Sequence, residues 1–100
     1  MSKGHLFYLL MTKNHANYYA YIVRCADGTY YTGKTYDLEK RLKQHNGLLS
    51  GGAKYTHIRK PVTLVYQEQF LCNKDACIRE EKIKNLTRQQ KEKLIEKALA

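Results

Sequence analysis

A chain of 100 residues with a 43% hydrophobic share has room for one small domain, and its composition excludes wholesale disorder. Lys and Arg number 18 against nine acids, a formal charge of +9 that selects a polyanion as partner, nucleic acid first. The odd count of three cysteines, without a C-x-x-C pair, excludes a disulfide framework; it fits a reducing cytoplasm, the thiols serving as packing residues.

Residues 1–17 read as an N-terminal extension to a domain over 18–100. The apolar run from His5 to Met11 is far shorter than the ~20 residues that span a bilayer. It also lacks the length and cleavage site of a signal peptide. Met11 is a candidate for an alternative translation start. No helix pattern is basic on one side and rich in large apolar residues on the other, so membrane binding is not expected.

Tyr19 to Cys25 is aromatic and β-branched, the pattern of a strand. Ala26-Asp27-Gly28-Thr29 supplies an Asp-Gly turn, and Tyr30-Tyr31-Thr32 returns as a second strand. Gly33 is expected to end it, where the backbone bends or comes close to something. Thr35 or Asp37 can cap a helix running to about Asn46-Gly47. At 100° per residue, Leu38, Arg41, Leu42 and His45 share one sector of that helix, away from Lys40 and Lys43.

Residues 48–60 read as a Gly- and Lys-containing loop, closed by Pro61 before a strand over 62–70. Asn73 or Asp75 can cap a helix to about Leu86. Thr87-Arg88-Gln89-Gln90 has the capping-box pattern for a last helix. The order ββαβαα predicts an α+β fold, a small antiparallel three-stranded sheet flanked by helices.

On the wheel of the second helix, Glu80 falls inside the apolar arc of Ala76, Cys77 and Ile83. A carboxylate aimed into packed surface needs a cation or strong donors. A salt bridge to Lys84 at i+4 and a metal site meet that need equally well. A zinc site is not expected, because no tight spacing joins Cys72, Cys77, His45 and His57. Tyr21 and Tyr31 can pair as ordinary sheet aromatics, His45 can be structural, and Arg41 wants an anion, Glu80 or a phosphate. Together on a basic chain, these groups point to chemistry on a phosphodiester.

Tyr19-Ala20-Tyr21, Tyr31-Thr32-Gly33, Lys34, the Arg41-x-x-x-His45 spacing and the helical Glu80 form a series that resembles the GIY-YIG nuclease domain. The first motif departs by lacking Gly and Ile, the second by carrying Thr for Ile. Gly52-Ala53-Lys54-Tyr55-Thr56 and Lys84-x-Leu86-Thr87 are similar to the small stand-alone bacterial UPF0213 (YhbQ-like) group. The resemblance implies a metal-dependent endonuclease acting on nucleic acid, DNA favoured, at branched or damaged structures. It implies that Glu80 holds one divalent ion, Mg²⁺ or Mn²⁺, and that Tyr21 is the base. Tyr31 would position water or phosphate, Arg41 would hold non-bridging oxygens, and His45 would bond Tyr21 or relay its proton. Gly33, Lys34, Lys54, Arg59 and Lys60 would contact substrate. Rival readings are a non-catalytic nucleic-acid-binding module and an interaction subunit completed by a protein partner. A monomer is expected.

Overall fold

The computed structural model describes residues 17–99. Residues 1–16, nearly all of the expected extension at 1–17, lie outside the described residues, as does Ala100.

Three strands build one antiparallel sheet: β1 (Tyr18–Arg24), β2 (Tyr30–Thr35) and β3 (Thr63–Phe70), in the order β2-β1-β3. The central strand is the most apolar of the three, as a strand paired on both edges requires. Asp27 closes the β1–β2 turn by accepting from the Thr29 N–H at 3.1 Å and the Thr29 hydroxyl at 2.6 Å. The second strand continues through Gly33 to Thr35 rather than ending at the glycine. The sequence pattern is corrected there because the hydrogen-bonded ladder to β1 runs on to the Tyr19–Thr35 pair.

Alternation along β1 divides the core into two halves. Tyr21, Val23 and Cys25 pack with Val62, Leu38, Leu42 and Leu64 on one face. Ala20 and Ile22 pack with Ile83 and Ile95 on the other. Helix α1 (Leu38–His45) covers the first face. Asp37 caps it, its carboxylate accepting from the Lys40 N–H at 3.0 Å. Gly47, at φ 78°, turns the chain off the helix, and the Leu48 N–H reaches the Lys43 carbonyl at 2.8 Å.

The stretch read as a loop contains a short helix, α2 (Lys54–His57). Four residues are too few for a periodic pattern, so nothing in the composition announces it. Helices α3 (Asn73–Lys84) and α4 (Arg88–Leu99) cover the second face. Cys72 stands at the N-cap of α3 with no side-chain cap, so Asn73 and Asp75 are inside the helix rather than ahead of it. The capping box of α4 forms as read: Thr87 Oγ1 accepts from the Gln90 N–H and Gln90 Oε1 from the Thr87 N–H. The fold is the α+β arrangement expected, with α2 added.

Candidate active site

Register decides which side chains meet. Tyr21 pairs with Gly33 and Tyr31 with Val23, so the two tyrosines share a face as diagonal neighbours. Tyr21 is fully buried, whereas Tyr31 is half-buried. The absent side chain of Gly33 leaves the space that the Tyr21 ring fills.

Helix α1 brings two polar groups to the Tyr21 hydroxyl. His45, 1% exposed, lies 2.7 Å away through Nε2, and Arg41 donates its Nε–H from 3.4 Å. Chemistry fixes the direction of the remaining bonds. Thr56 donates to the Ala53 carbonyl at 3.0 Å, so it accepts from His45 Nδ1–H at 2.7 Å. His45 Nε2 is then the acceptor for the Tyr21 hydroxyl. One unbroken series of hydrogen bonds runs from Arg41 through Tyr21, His45 and Thr56 to the backbone.

The protonation states agree with that series. Burial pushes the Tyr21 phenol up to about 12, and the nearby charge of Arg41 only partly offsets it. Burial, with the positive charge of Arg41, pushes His45 down to about 4. At neutral pH the site therefore holds a protonated phenol against a neutral imidazole. Proton transfer between them needs no movement of heavy atoms.

Arg41 carries the charge of the site. Besides Tyr21, its NH1 donates to Gly51 O at 2.8 Å and to Gln44 Oε1 at 3.1 Å. Burial opposes its charge, yet the Tyr21 and Tyr31 hydroxyls hold its pKa above the ordinary value. All these partners are formally neutral. Among the described residues Glu80 pairs with Lys84, at 3.6 Å, and not with Arg41. The structural pairing of Arg41 with Glu80 is thus not what the fold contains.

Lys34 lies on the opposite face of β2, pairing in register with Ala20. Its ammonium donates to Asn73 Oδ1 at 2.7 Å and Cys77 Sγ at 3.0 Å. Glu80 is one turn beyond Cys77 on the same side of α3. Its charge reaches the Tyr21 phenol and raises its pKa. A cleft of about 310 Å³ wraps the open edge of β2, lined among others by Tyr18, Lys34, Tyr36, Lys40, Arg41 and Asn73. Glu80, Tyr21, Tyr31 and His45 are outside that lining.

The other expected contacts divide. Lys54 and Lys60 are exposed on the segment around α2. Arg59 is committed to structure: it pairs with Asp27 at 3.1 Å, donates to Tyr55 O at 3.0 Å, and lies 3.8 Å over the Tyr55 ring. Tyr55 in turn stacks on Tyr31. Gln44, Tyr18 and Tyr36 carry no motif, and Thr56 lies in a stretch read only as a family likeness; the folded arrangement brings all four to the site.

The sequence of the GIY-YIG catalytic domain matches residues 17–93. The chain belongs to the GIY-YIG family. A UPF0213 protein of Staphylococcus saprophyticus is 54% identical over 78 residues, covering 78% of this chain and 93% of the relative. One of Halobacterium salinarum is 48% identical, covering 77% and 97%. The solution structure of a UPF0213 protein from Bacillus halodurans matches with TM-score 0.52 and 41% identity, over 80% of this chain and 83% of that one. A protein structure from E. faecalis matches with TM-score 0.55 and 38% identity, covering 81% and 84%.

A GIY-YIG site is expected to take a divalent ion. Among the described residues no three His, Cys, Asp or Glu side chains gather as a cage. One carboxylate, Glu80, with an 18% exposed side chain and a lysine partner at 3.6 Å that a cation would replace, is what a hard cation accepts when it keeps most of its waters. A single carboxylate of this kind suits a hydrated hard cation such as Mg²⁺ or Mn²⁺.

Proposed function

We propose that this GIY-YIG chain is a metal-dependent endonuclease, hydrolysing phosphodiester bonds of nucleic acid in the cytoplasm as a monomer. DNA with branched or damaged structure is the favoured substrate. The observation that carries this is Arg41. A guanidinium held by neutral acceptors, on the wall of a basic cleft, keeps its charge and lacks an anion. A phosphate supplies two oxygens in the geometry that the guanidinium fork matches.

Arg41 turns from the phenol, its longest contact, to the non-bridging oxygens, opening the Tyr21 hydroxyl to water. Tyr21 takes a proton from the attacking water as its own passes to His45 Nε2. His45 becomes imidazolium, still held through Nδ1–H by Thr56. The water oxygen bonds to phosphorus and the bond to the leaving oxygen breaks. Tyr31, beside Arg41 and nearer solvent, orients the water. A divalent ion held by Glu80 would supply stabilisation of the charge growing on phosphate and leaving group.

One observation favours a second reading, a binding module. Glu80 is already paired and stands outside the cleft lining. A panel of branched DNAs with Mg²⁺ or Mn²⁺, cut by the wild type and by Glu80→Ala, separates the two. Cleavage lost in the variant supports the enzyme. Binding without cleavage supports the module, and cleavage only with an added cell fraction supports a subunit. Equal cleavage by both proteins overturns the role of Glu80.

A further inference from the structure

The cleft at the β2 edge holds more than a phosphate site. Lys34, Lys40 and Arg41 line it, and among the described residues none of the three is in an ion pair with a carboxylate. Tyr18 and Tyr36 line it beside them. Tyr36 follows the strand end and is 63% exposed. A tyrosine so exposed buries little on folding, so packing does not account for its aromatic ring at this place. Cations and aromatic faces in one concavity match the two parts of a nucleotide, a charged phosphate and a flat base.

We infer that this cleft receives one unstacked nucleotide beside the phosphate bound by Arg41, with Tyr36 as the stacking surface for its base and Tyr18 in the same lining. In a paired duplex both faces of each base are covered by its neighbours. Only an unpaired or extruded base presents a face to a side chain. The substrate class follows: nucleic acid with at least one unpaired nucleotide next to the bound phosphate.

The polar lining gives little sequence readout. Asp37 accepts from the Lys40 N–H, Gln44 Oε1 from Arg41, and Asn73 Oδ1 from Lys34. One oxygen of each of these side chains is already in use, so stacking is the larger part of the preference, and every base has a face to stack.

The inference rests on the nuclease reading only for the presence of nucleic acid in the cleft. The test uses the full chain in EDTA, where metal-dependent cleavage is silent. Fluorescence anisotropy compares three labelled DNAs: a paired duplex, the same duplex with one bulged nucleotide, and that bulge with its base removed. The wild type should bind the bulge about tenfold more tightly than either control, the size of one stacked base. Tyr36→Ala should abolish the preference and Tyr36→Phe keep it, with both variants as stable as wild type. Equal affinity for the bulge with and without its base overturns the inference, as does a preference that survives Tyr36→Ala. Cleavage assays with Mn²⁺ separate the two claims. A base-dependent preference without any cleavage removes the nuclease reading and leaves the nucleotide cleft. Cleavage indifferent to the bulged base does the reverse.

Discussion

Gly33 stands across the hairpin from Tyr21, and the buried ring fills the space where a side chain on Gly33 would begin. A Cβ there would lie 2.6 Å from the ring's Cζ. Gly33→Ala therefore has to displace a fully buried ring that already holds two polar partners. The expected cost is about 1–3 kcal/mol, the usual range for an overpacked core, read by denaturant unfolding. Wild-type stability with an unmoved Tyr21 hydroxyl would show that the strand can absorb the methyl group.

Removing that hydroxyl tests the hydrogen-bonded series. Tyr21→Phe leaves His45 Nε2 buried without its donor. Loss of about 1–3 kcal/mol is expected for an unsatisfied buried group. Catalysis should fall by at least the ~10² typical of lost general acid–base help. Thermal melts and single-turnover cleavage check the two separately, and a stable variant of full activity would remove Tyr21 from the mechanism.

His45 gives a pH signature in stability. Its folded value, about 4, is below the ordinary 6.5 of an unfolded histidine. Between those values the unfolded chain binds a proton that the native state refuses. Stability therefore falls as pH drops from about 6.5 to 4, by about 3 kcal/mol at most, and the effect is absent above that window. Comparing wild type with His45→Gln at each pH isolates this contribution. A difference that does not change through the window would refute a buried neutral imidazole.

The same values set the pH–rate profile. With neutral His45 as the final proton acceptor, the rate should be flat from about pH 6 to 9 and fall on the acid side as His45, at about 4, becomes charged. A pre-formed phenolate with a value of about 12 would instead give a rate rising tenfold per pH unit across neutrality. Single-turnover rates on one DNA substrate distinguish the two shapes.

Basic residues should separate by what they touch. Lys34→Ala removes a cleft cation and should weaken DNA binding and flatten its salt dependence, because fewer counterions are released. Arg59→Ala breaks the contacts to Asp27 and Tyr55 and should lower the melting temperature more than it weakens binding. Salt titrations of DNA affinity beside melting curves test the contrast.

That contrast marks where the sequence is legible. Periodicity placed Leu38, Arg41, Leu42 and His45 on one helical face, because helix geometry is local. The capping box at Thr87 and the Asp27 turn were readable for the same reason. The pairing of Arg59 with Asp27 is not legible, since the two are 32 residues apart in the chain. The contact of Thr56 with His45 is equally silent, although its stretch carries a family likeness, for it is set by a four-residue helix in a glycine-containing segment. The diagonal offset of Tyr21 and Tyr31 depends on strand register, which the motif does not encode. The wheel turns Glu80 inward, and the structure adds what a wheel omits, that its helix packs on the face opposite Tyr21.

Arg41 offers the most direct measurement. Single-turnover cleavage of a labelled branched DNA with Mn²⁺, by wild type and Arg41→Ala at saturating protein, reads its contribution after binding. A loss of at least ~10² in rate is expected if its guanidinium stabilises charge on the phosphate. Equal rates from the two proteins, with metal present, would contradict the account.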